Sequence, residues 1–250
     1  MQQATKVALI TGANKGIGFE VARQIAKAGW TVLAAARNEE RGRQAVARLQ
    51  AEGLDVQFIH VDLDVPETGA TAAETISKQF GKLDLLINNA GIATQGDGPP
   101  SKVYLEAVNK IMQTNFVGTV AVTQAMLPLL LAAPKAQIIN VSSELGSISQ
   151  QTNTDWKYAP VKVLGYCASK AALNMLTVQL AYEFRDRNIA VNSVNPGYTA
   201  TDLNGNSGAQ TLEEGAAEIV RVALYDTTVT GKFLETGGEI PWWECLERAA

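Results

Sequence analysis

The chain has 250 residues, 46% of them hydrophobic, with a formal net charge of −4, two cysteines and one histidine. This composition provides for one large core, and it argues against nucleic-acid or anionic-membrane partners, a disulfide framework and a His-based metal site. No apolar run reaches the roughly 18 residues of a membrane span, and the N-terminus lacks a secretory pattern, so we expect a cytoplasmic protein that needs no metal.

The first predicted unit is a strand, a glycine loop and a helix. Residues 6–11 are apolar and rich in β-branched side chains, and an amphipathic helix follows the loop and ends at Gly29. Between them, Gly12, Gly16 and Gly18 are spaced G-x-x-x-G-x-G. Glycine lets a backbone approach a ligand closely, and a helix N-terminus offers free N–H groups to a phosphate. The loop therefore indicates a phosphate site, although glycine turns also join strands to helices without any ligand.

The second predicted strand ends at Arg37, where an NAD site places an acid for the ribose. Lys15 comes from the glycine loop, and two cations at this position would suit the 2′-phosphate of NADP. Two alternatives stay open: Arg37 is an ordinary surface residue, or Glu39 and Glu40 bind the ribose. Asn38, however, has the character of an N-cap that places both acids in the first turn of the next helix.

Apolar runs alternate with amphipathic segments along the rest of the chain. This alternation predicts one α/β domain over residues 1–250, a doubly wound, Rossmann-type parallel sheet of about seven strands with helices on both faces. The later strands are expected at 54–64, 83–91, 136–143, 189–197 and 231–238, and the later helices at 39–53, 67–80, 102–131, 165–184 and 212–225.

Polar residues follow several of these strands, at the sheet edge where open α/β sheets bind ligands. Asp62 ends the third strand and is placed to accept a hydrogen bond from an adenine amine. Three loop segments, 92–101, 144–163 and 198–210, are expected to shape a substrate pocket, since long irregular loops in compact domains are often functional. Trp156 and Tyr158 in the second segment either face an apolar substrate or fix that loop to the body.

Tyr166 and Lys170 are four residues apart on a predicted helix and therefore share one face. A neighbouring ammonium lowers the pKa of a phenol, so the pair is a plausible acid–base device. The alternative is a solvated helix face, which is the more common explanation of such a pair. Cys167 points along another face and is interpreted as packing, and the lone His60 lies in a predicted strand and is interpreted as structural.

Taken together, these motifs resemble the short-chain dehydrogenase/reductase family, and within it the carbonyl reductase branch. The resemblance covers nearly the whole chain, and the motifs occur in the family's order and approximate spacing. They are the glycine segment 12–18, Asn88-Asn89-Ala90-Gly91, Asn115, Asn140-Val141-Ser142-Ser143, Tyr166 with Lys170, and Asn195-Pro196-Gly197. The insert before Tyr166 is shorter than in the animal carbonyl reductases, so the resemblance implies no particular substrate.

The resemblance also implies roles for individual residues. Tyr166 would donate a proton to the substrate carbonyl, and Ser143, rather than Ser142, would be the catalytic serine. Lys170 would lower the pKa of Tyr166 and hold the nicotinamide ribose, while Asn115 would position a water that completes a proton relay. Besides Tyr166 and Lys170, the implied cofactor site consists of Gly12, Asn14, Lys15, Gly16, Ile17, Gly18, Arg37, Asp62, Leu63, Asn89, Gly91, Pro196, Gly197 and Thr199.

The expected function is NADPH-dependent reduction of a small-molecule aldehyde or ketone to an alcohol. One alternative is an NAD-linked alcohol dehydrogenase of the same family, which would want an acid at or beside position 37. The other is a non-catalytic NADP-binding sensor, a class that typically lacks Ser, Tyr or Lys of the catalytic set. Many relatives in the family are tetramers, but the carbonyl reductase branch contains monomers, and the insert of intermediate length favours a monomer slightly.

Overall fold

A computed structural model describes residues 5–225 and 228–242, which form one eight-stranded sheet with helices on both faces. The strand order is β3-β2-β1-β4-β5-β6-β7-β8. The strands are β1 Val7–Thr11, β2 Thr31–Ala36, β3 Val56–His60, β4 Leu85–Asn88, β5 Ala136–Val141, β6 Ile189–Val194, β7 Phe233–Glu235 and β8 Gly238–Glu239.

Eight α-helices accompany the described strands. They are α1 Gly16–Lys27, α2 Glu39–Ala51, α3 Pro66–Phe80, α4 Leu105–Met112, α5 Gly118–Ala132, α6 Ile148–Thr152, α7 Leu164–Glu183 and α8 Leu212–Tyr225. A π-helical turn, Gln113–Val117, joins α4 to α5, and short 3₁₀ turns lie at Glu144–Gly146 and Asp202–Asn204.

The core consists of two apolar layers, one on each face of the sheet. Along β1, Ala8 and Ile10 belong to the layer shared with α1, α2 and α8, whereas Val7 and Leu9 belong to the layer shared with α3, α5 and α7. A strand covered on both faces carries apolar residues at consecutive positions, because side chains alternate between the faces. This explains why short unbroken apolar runs predicted the strands correctly.

The predicted parallel sheet of about seven strands is confirmed for β1 to β7, all of which pair in parallel. The segment 231–238, expected as one strand, instead turns after β7 into β8, which pairs antiparallel with it. Gly237 at the turn has φ 104°, a conformation that ends an extended strand. Between β1 and β4 the strand order reverses direction, which is the position where this class of sheet binds ligands.

The predicted helix at 102–131 is one continuous helical segment from Leu105 to Ala132, with the π turn in its middle. Pro128 lies inside α5 without ending it. By length and composition alone, the segment is long and apolar enough to cross a membrane. Its buried residues, including Val122 and Met126, pack in the core against the sheet, as in an ordinary core helix.

Candidate active site

A cavity of about 870 Å³ opens at the carboxyl ends of the strands, across the point where the strand order reverses. This volume is within the range of small-molecule and cofactor sites. Every residue predicted for the site lines it, except Asn115, which lies just behind its wall. The structure therefore brings together glycine-loop residues, the polar turns after β2 to β6 and the Tyr166 helix, as the order of the parallel strands requires.

The glycine loop passes directly from β1 into α1, which begins at Gly16. Gly12 has φ 66°, and a Cβ placed on it would lie 3.0 Å from the Cα of Ala90, so a larger residue would separate the loop from β4. The side chain of Asn89 secures this contact by donating to the carbonyl of Thr11 at 2.8 Å. Asn89 thus holds the loop itself, and its contact with a cofactor remains a prediction.

The N-terminus of α1 is suited to an anion. Lys15 occupies the N-cap position, its side chain does not cap the helix, and the first turn carries no acid. In contrast, the N-terminus of α2 is closed by Asn38, whose Oδ1 accepts the N–H of Arg41 at 2.9 Å. Unsatisfied amides that face a cavity are the usual binding site for the pyrophosphate of a dinucleotide, so this chain's residues fit a nicotinamide cofactor.

Both predicted cations line the cavity, Arg37 directly after β2 and Lys15 in the glycine loop after β1. Sequence reasoning missed the present partner of Lys15, which is Asp202, 187 residues away, at 2.7 Å. The interpretation of the acids after β2 is supported, since Asn38 is the N-cap and Glu39 pairs with Arg43 at 2.8 Å within α2. His60 ends β3, with Nε2 3.1 Å from the carbonyl oxygen of Arg37, which agrees with a structural role.

Asp62 and Leu63 follow β3 and form the cavity wall beside the cations. The Oδ1 of Asp62 accepts the N–H of Asp64 at 3.0 Å, and the Asp62 carbonyl accepts the N–H of Val65 at 3.0 Å, so this turn is tightly closed. On the opposite side, after β6, the backbone turns at Gly197, with φ 77°, and Pro196 and Thr199 flank that turn.

The two serines after β5 have different environments. Ser142 is 2% exposed, and its hydroxyl donates weakly to the backbone carbonyl of Lys170 at 3.5 Å. Ser143 is half-buried, caps the following 3₁₀ turn by accepting the N–H of Leu145 at 3.2 Å, and forms a hydrogen bond that lowers the pKa of Tyr166. Only Ser143 therefore combines access to the cavity with contact to the tyrosine.

Tyr166 and Lys170 lie on the inner face of α7, with Lys170 Nζ 5.7 Å from the centre of the tyrosine ring. The prediction that Lys170 lowers the pKa of Tyr166 is wrong for this geometry. Burial raises the pKa of Tyr166 to about 12 and outweighs the hydrogen bond from Ser143. Burial also lowers the pKa of Lys170 to about 8, and its Nζ donates to the Val141 carbonyl at 2.7 Å rather than acting on the phenol.

Asn115 lies in the π turn and is 1% exposed. Its side chain accepts the N–H of Ile92 at 2.7 Å and donates to the Ile92 carbonyl at 2.9 Å. A Cβ placed on Gly91 would lie 3.4 Å from Asn115 Oδ1 and 3.6 Å from Lys170 Nζ, so both residues flank the same glycine. π turns often occur at functional sites. Here the turn directs the Asn115 side chain towards Gly91 and Lys170.

Sequence reasoning missed two residues that support this arrangement. The Ser169 hydroxyl is fully buried, accepts a hydrogen bond from Asn115 Nδ2 at 3.0 Å and donates to the Tyr166 carbonyl at 2.8 Å. Asp97 reaches from the 92–101 loop to the backbone of Tyr166 at 2.9 Å. For Asp97 the only signal in the sequence was that Val163, before α7, is a residue type that cannot cap a helix.

The insert 144–163 begins with the 3₁₀ turn Glu144–Gly146 and contains α6. Trp156 donates from Nε1 to Glu144 at 3.3 Å, which ties the later part of the insert to its first residue. Tyr158 lines the cavity and makes an edge contact with Tyr198 of the 198–210 loop, with ring centres 6.1 Å apart, and its contact with a substrate stays a prediction. Cys167 is half-buried, 3.6 Å from the Gln151 amide, as expected for packing.

At the C-terminal end, Trp242 stacks on Phe233, with ring centres 5.6 Å apart, and its Nε1 donates to the carbonyl of Gly231 at 2.9 Å. Trp242 therefore packs against β7, and it does not line the cavity. Trp243 lies outside the described residues.

Comparison with known proteins identifies similar chains over almost the full length. The profile of the short chain dehydrogenase family matches residues 6–212. The short-chain dehydrogenase anuI of Penicillium roqueforti is 37% identical over 230 residues, which cover 89% of this chain and 90% of that protein. Carbonyl reductase (NADPH) 1 of Mus musculus is 33% identical over 282 residues, covering 97% of this chain and 100% of the relative.

Among solved structures, the NADPH-bound carbonyl reductase from chicken fatty liver matches with a TM-score of 0.83 at 28% sequence identity. The match covers 96% of this chain and 100% of that chain. The similarity thus extends over nearly the whole fold.

Proposed function

We propose that this chain, which belongs to the short-chain dehydrogenase/reductase family and is an oxidoreductase similar to carbonyl reductases, reduces aldehydes or ketones with NADPH. One observation carries the proposal. The catalytic set of Ser143, Tyr166 and Lys170 converges on the β5 side of the cavity, Arg37 lines it after β2, and Lys15 lines it from the glycine loop after β1. A nicotinamide dinucleotide would extend from one group to the other.

The protonated state of Tyr166 supports the direction of reduction. With its pKa raised to about 12, the phenol keeps its proton at neutral pH and can donate it to a carbonyl oxygen. The Ser143 hydroxyl is the second donor, and both act where negative charge develops in the transition state. The bound nicotinamide would supply the hydride. General acid catalysis of this kind contributes roughly 10²–10⁴-fold in rate.

Lys170 and Asn115 are proposed to return a proton to Tyr166 after each turnover. The pKa of Lys170, lowered to about 8, lets its ammonium give up a proton near neutral pH. Lys170 and Asn115 flank Gly91 at the cavity wall, which suits a relay through a water placed between them. Lys170 is also proposed to hold the nicotinamide ribose from the same position.

Lys15 and Arg37 support NADPH rather than NADH, because they are cations where an NAD site requires an acid. The nearby Glu39 is engaged by Arg43 within α2 and offers no replacement. We expect Arg37→Asp to lower kcat/KM for NADPH and to raise the NADH to NADPH ratio about tenfold or more, the effect of one charged contact. An unchanged ratio would contradict the assignment of the 2′-phosphate site.

The decisive experiment follows the oxidation of NADPH with a panel of quinones, aromatic aldehydes, keto esters and cyclic ketones. The wild-type protein should turn over at least one of these classes. Tyr166→Phe should abolish turnover, keep NADPH binding and remain folded, because only the phenolic hydroxyl is removed. A protein that binds NADPH but oxidises it with no carbonyl would instead support the non-catalytic alternative. A Tyr166→Phe variant of full activity would refute Tyr166 as the proton donor.

A further inference from the structure

The helix that carries Tyr166 has no N-terminal cap of its own. Val163 occupies the N-cap position without a side-chain hydrogen bond, and the first turn of α7 contains no acid. The carboxylate of Asp97, a residue distant in sequence, accepts two backbone N–H groups of this turn instead. Its Oδ1 accepts the N–H of Gly165, 68 residues away, at 2.8 Å, and its Oδ2 accepts the N–H of Tyr166, 69 residues away, at 2.9 Å. The amide of Leu164 donates to the neighbouring Gly98 carbonyl at 3.0 Å.

The loop that contains Asp97 is fixed at both ends to the catalytic set. At its start, Ile92 is held by two hydrogen bonds to Asn115, and Asn115 is connected through Ser169 to the Tyr166 carbonyl. Near its end, Asp97 binds the Tyr166 amide. Asp97 also lines the cavity, so one loop forms a wall for the substrate and holds the backbone of the proton donor from both sides.

We propose that Asp97 is a positioning residue, whose carboxylate holds the first turn of α7 so that the Tyr166 hydroxyl stays within reach of the carbonyl and of Ser143. The inference rests on the proposed function for its kinetic consequence. A carboxylate suits this position because it accepts two N–H groups at once and interacts favourably with the helix dipole. Asparagine has one oxygen, and its NH₂ group would face a backbone N–H.

The kinetic experiment compares Asp97→Asn with Asp84→Asn. Asp84 is a matched control, since it also accepts a backbone N–H, that of Val7 at 2.8 Å, but at the opposite edge of the sheet. We expect Asp97→Asn to lower kcat by about 10- to 100-fold, because a small displacement of a reacting group has an effect of this size. The Kd for NADPH should change less than about twofold. Asp84→Asn should lower the melting temperature and leave kcat unchanged.

A second variant separates positioning from general destabilisation. Asp97→Ser shortens the side chain and withdraws its single oxygen from both amides, so it should lower kcat at least as much as Asp97→Asn, which keeps an acceptor at Oδ1. Equal kcat for the wild type, Asp97→Asn and Asp97→Ser would overturn the inference. A loss of kcat in Asp84→Asn that matches the loss in Asp97→Asn would overturn it as well, since stability alone would then explain both.

Amide hydrogen exchange in the wild type tests the contact without any activity. The Gly165 and Tyr166 amides should exchange slowly, although they lie in the first turn of a helix, whereas the Ile17 and Gly18 amides of α1, which has no side-chain cap, should exchange rapidly. Rapid exchange at Gly165 and Tyr166 would overturn the inference even if every Asp97 variant failed to fold. Slow exchange there, in a protein without turnover on any carbonyl, would refute the proposed function and support the Asp97 contact.

Discussion

Lys170 loses its proton before Tyr166, although the two groups lie only one helical turn apart, with Nζ 5.7 Å from the ring centre. Their ordinary pKa values, 10.5 and 10.0, would give the opposite order. Burial disfavours the charged form of each, so it lowers the pKa of Lys170 to about 8 and raises that of Tyr166 to about 12. Around neutral pH, the pair is an ammonium beside a neutral phenol.

The first prediction is the pH dependence of carbonyl reduction. Turnover should fall as the pH rises through about 8, because Lys170 then loses the proton it returns to Tyr166, while the phenol stays protonated far above that pH. The measurement is kcat and kcat/KM for NADPH oxidation from pH 6 to 10. Lys170→Arg, which does not deprotonate in this range, should be slow and lack this fall. A fall at the same pH in Lys170→Arg would exclude Lys170 as its origin.

The second prediction concerns stability. Between about pH 8 and 10.5 the unfolded chain binds a proton at Lys170 that the folded chain does not, so the free energy of unfolding should rise with pH in that window. Below pH 8, Lys170 is protonated in both the folded and the unfolded state. The folded state then carries the full free-energy cost of burying the ammonium, about 3 kcal/mol for a pKa shift of this size. The variant Lys170→Met avoids this cost but loses the hydrogen bond to the Val141 carbonyl. On balance, it should be more stable than the wild type at pH 7 by about 2 kcal/mol.

Urea denaturation at pH 7, 8, 9 and 10 measures this difference. The advantage of Lys170→Met should shrink towards pH 10, since the wild-type lysine becomes neutral in the folded state. Equal pH dependence of the two proteins would show that Lys170 keeps an ordinary pKa. Above pH 10, Tyr166 acts in the opposite direction, because its raised pKa makes the folded state hold a proton that the unfolded state releases.

The architecture could be predicted from local sequence because each element is determined by neighbouring residues. A fully buried strand such as β1 is an unbroken apolar run, and the N-cap predicted at Asn38 is confirmed. Thr211 and Glu214 form a similar local pattern, a capping box at the start of α8. The site residues on strand ends were also predictable, because parallel strands bring their carboxyl ends to one edge.

What the sequence did not predict depends on contacts between distant residues or on burial. Asp97 caps a helix 68 residues away, and Asp202 pairs with Lys15 across 187 residues, so no local pattern encodes either contact. The direction of the Tyr166 pKa shift depended on whether burial or the neighbouring ammonium dominates, and only the three-dimensional environment decides between them.

The third prediction uses the ion pair between Lys15 and Asp202. Both side chains are exposed, so the pair itself contributes little to stability. It does, however, engage the cation proposed for the 2′-phosphate. Asp202→Asn should free Lys15 and lower Kd for NADPH by about two- to fivefold at low salt, without changing Kd for NADH. Fluorescence titration with both cofactors measures this, and equal effects on the two would refute a 2′-phosphate role for Lys15.

The fourth prediction tests how closely the Ser143 turn packs on α7. A Cβ placed on Gly146 would lie 2.7 Å from backbone and Cβ atoms of Lys170, so Gly146→Ala must move that turn away from the helix. We expect a loss of about 1–3 kcal/mol in unfolding free energy and a lower kcat, since Ser143 moves relative to Tyr166.

Gly69→Ala in α3 is the control. The nearest atom to the added methyl would be at 3.5 Å, so the methyl fits, and helix propensity should stabilise the protein by about 0.5–1 kcal/mol. Full activity in Gly146→Ala would mean that the turn tolerates displacement and that Ser143 is not held by this contact.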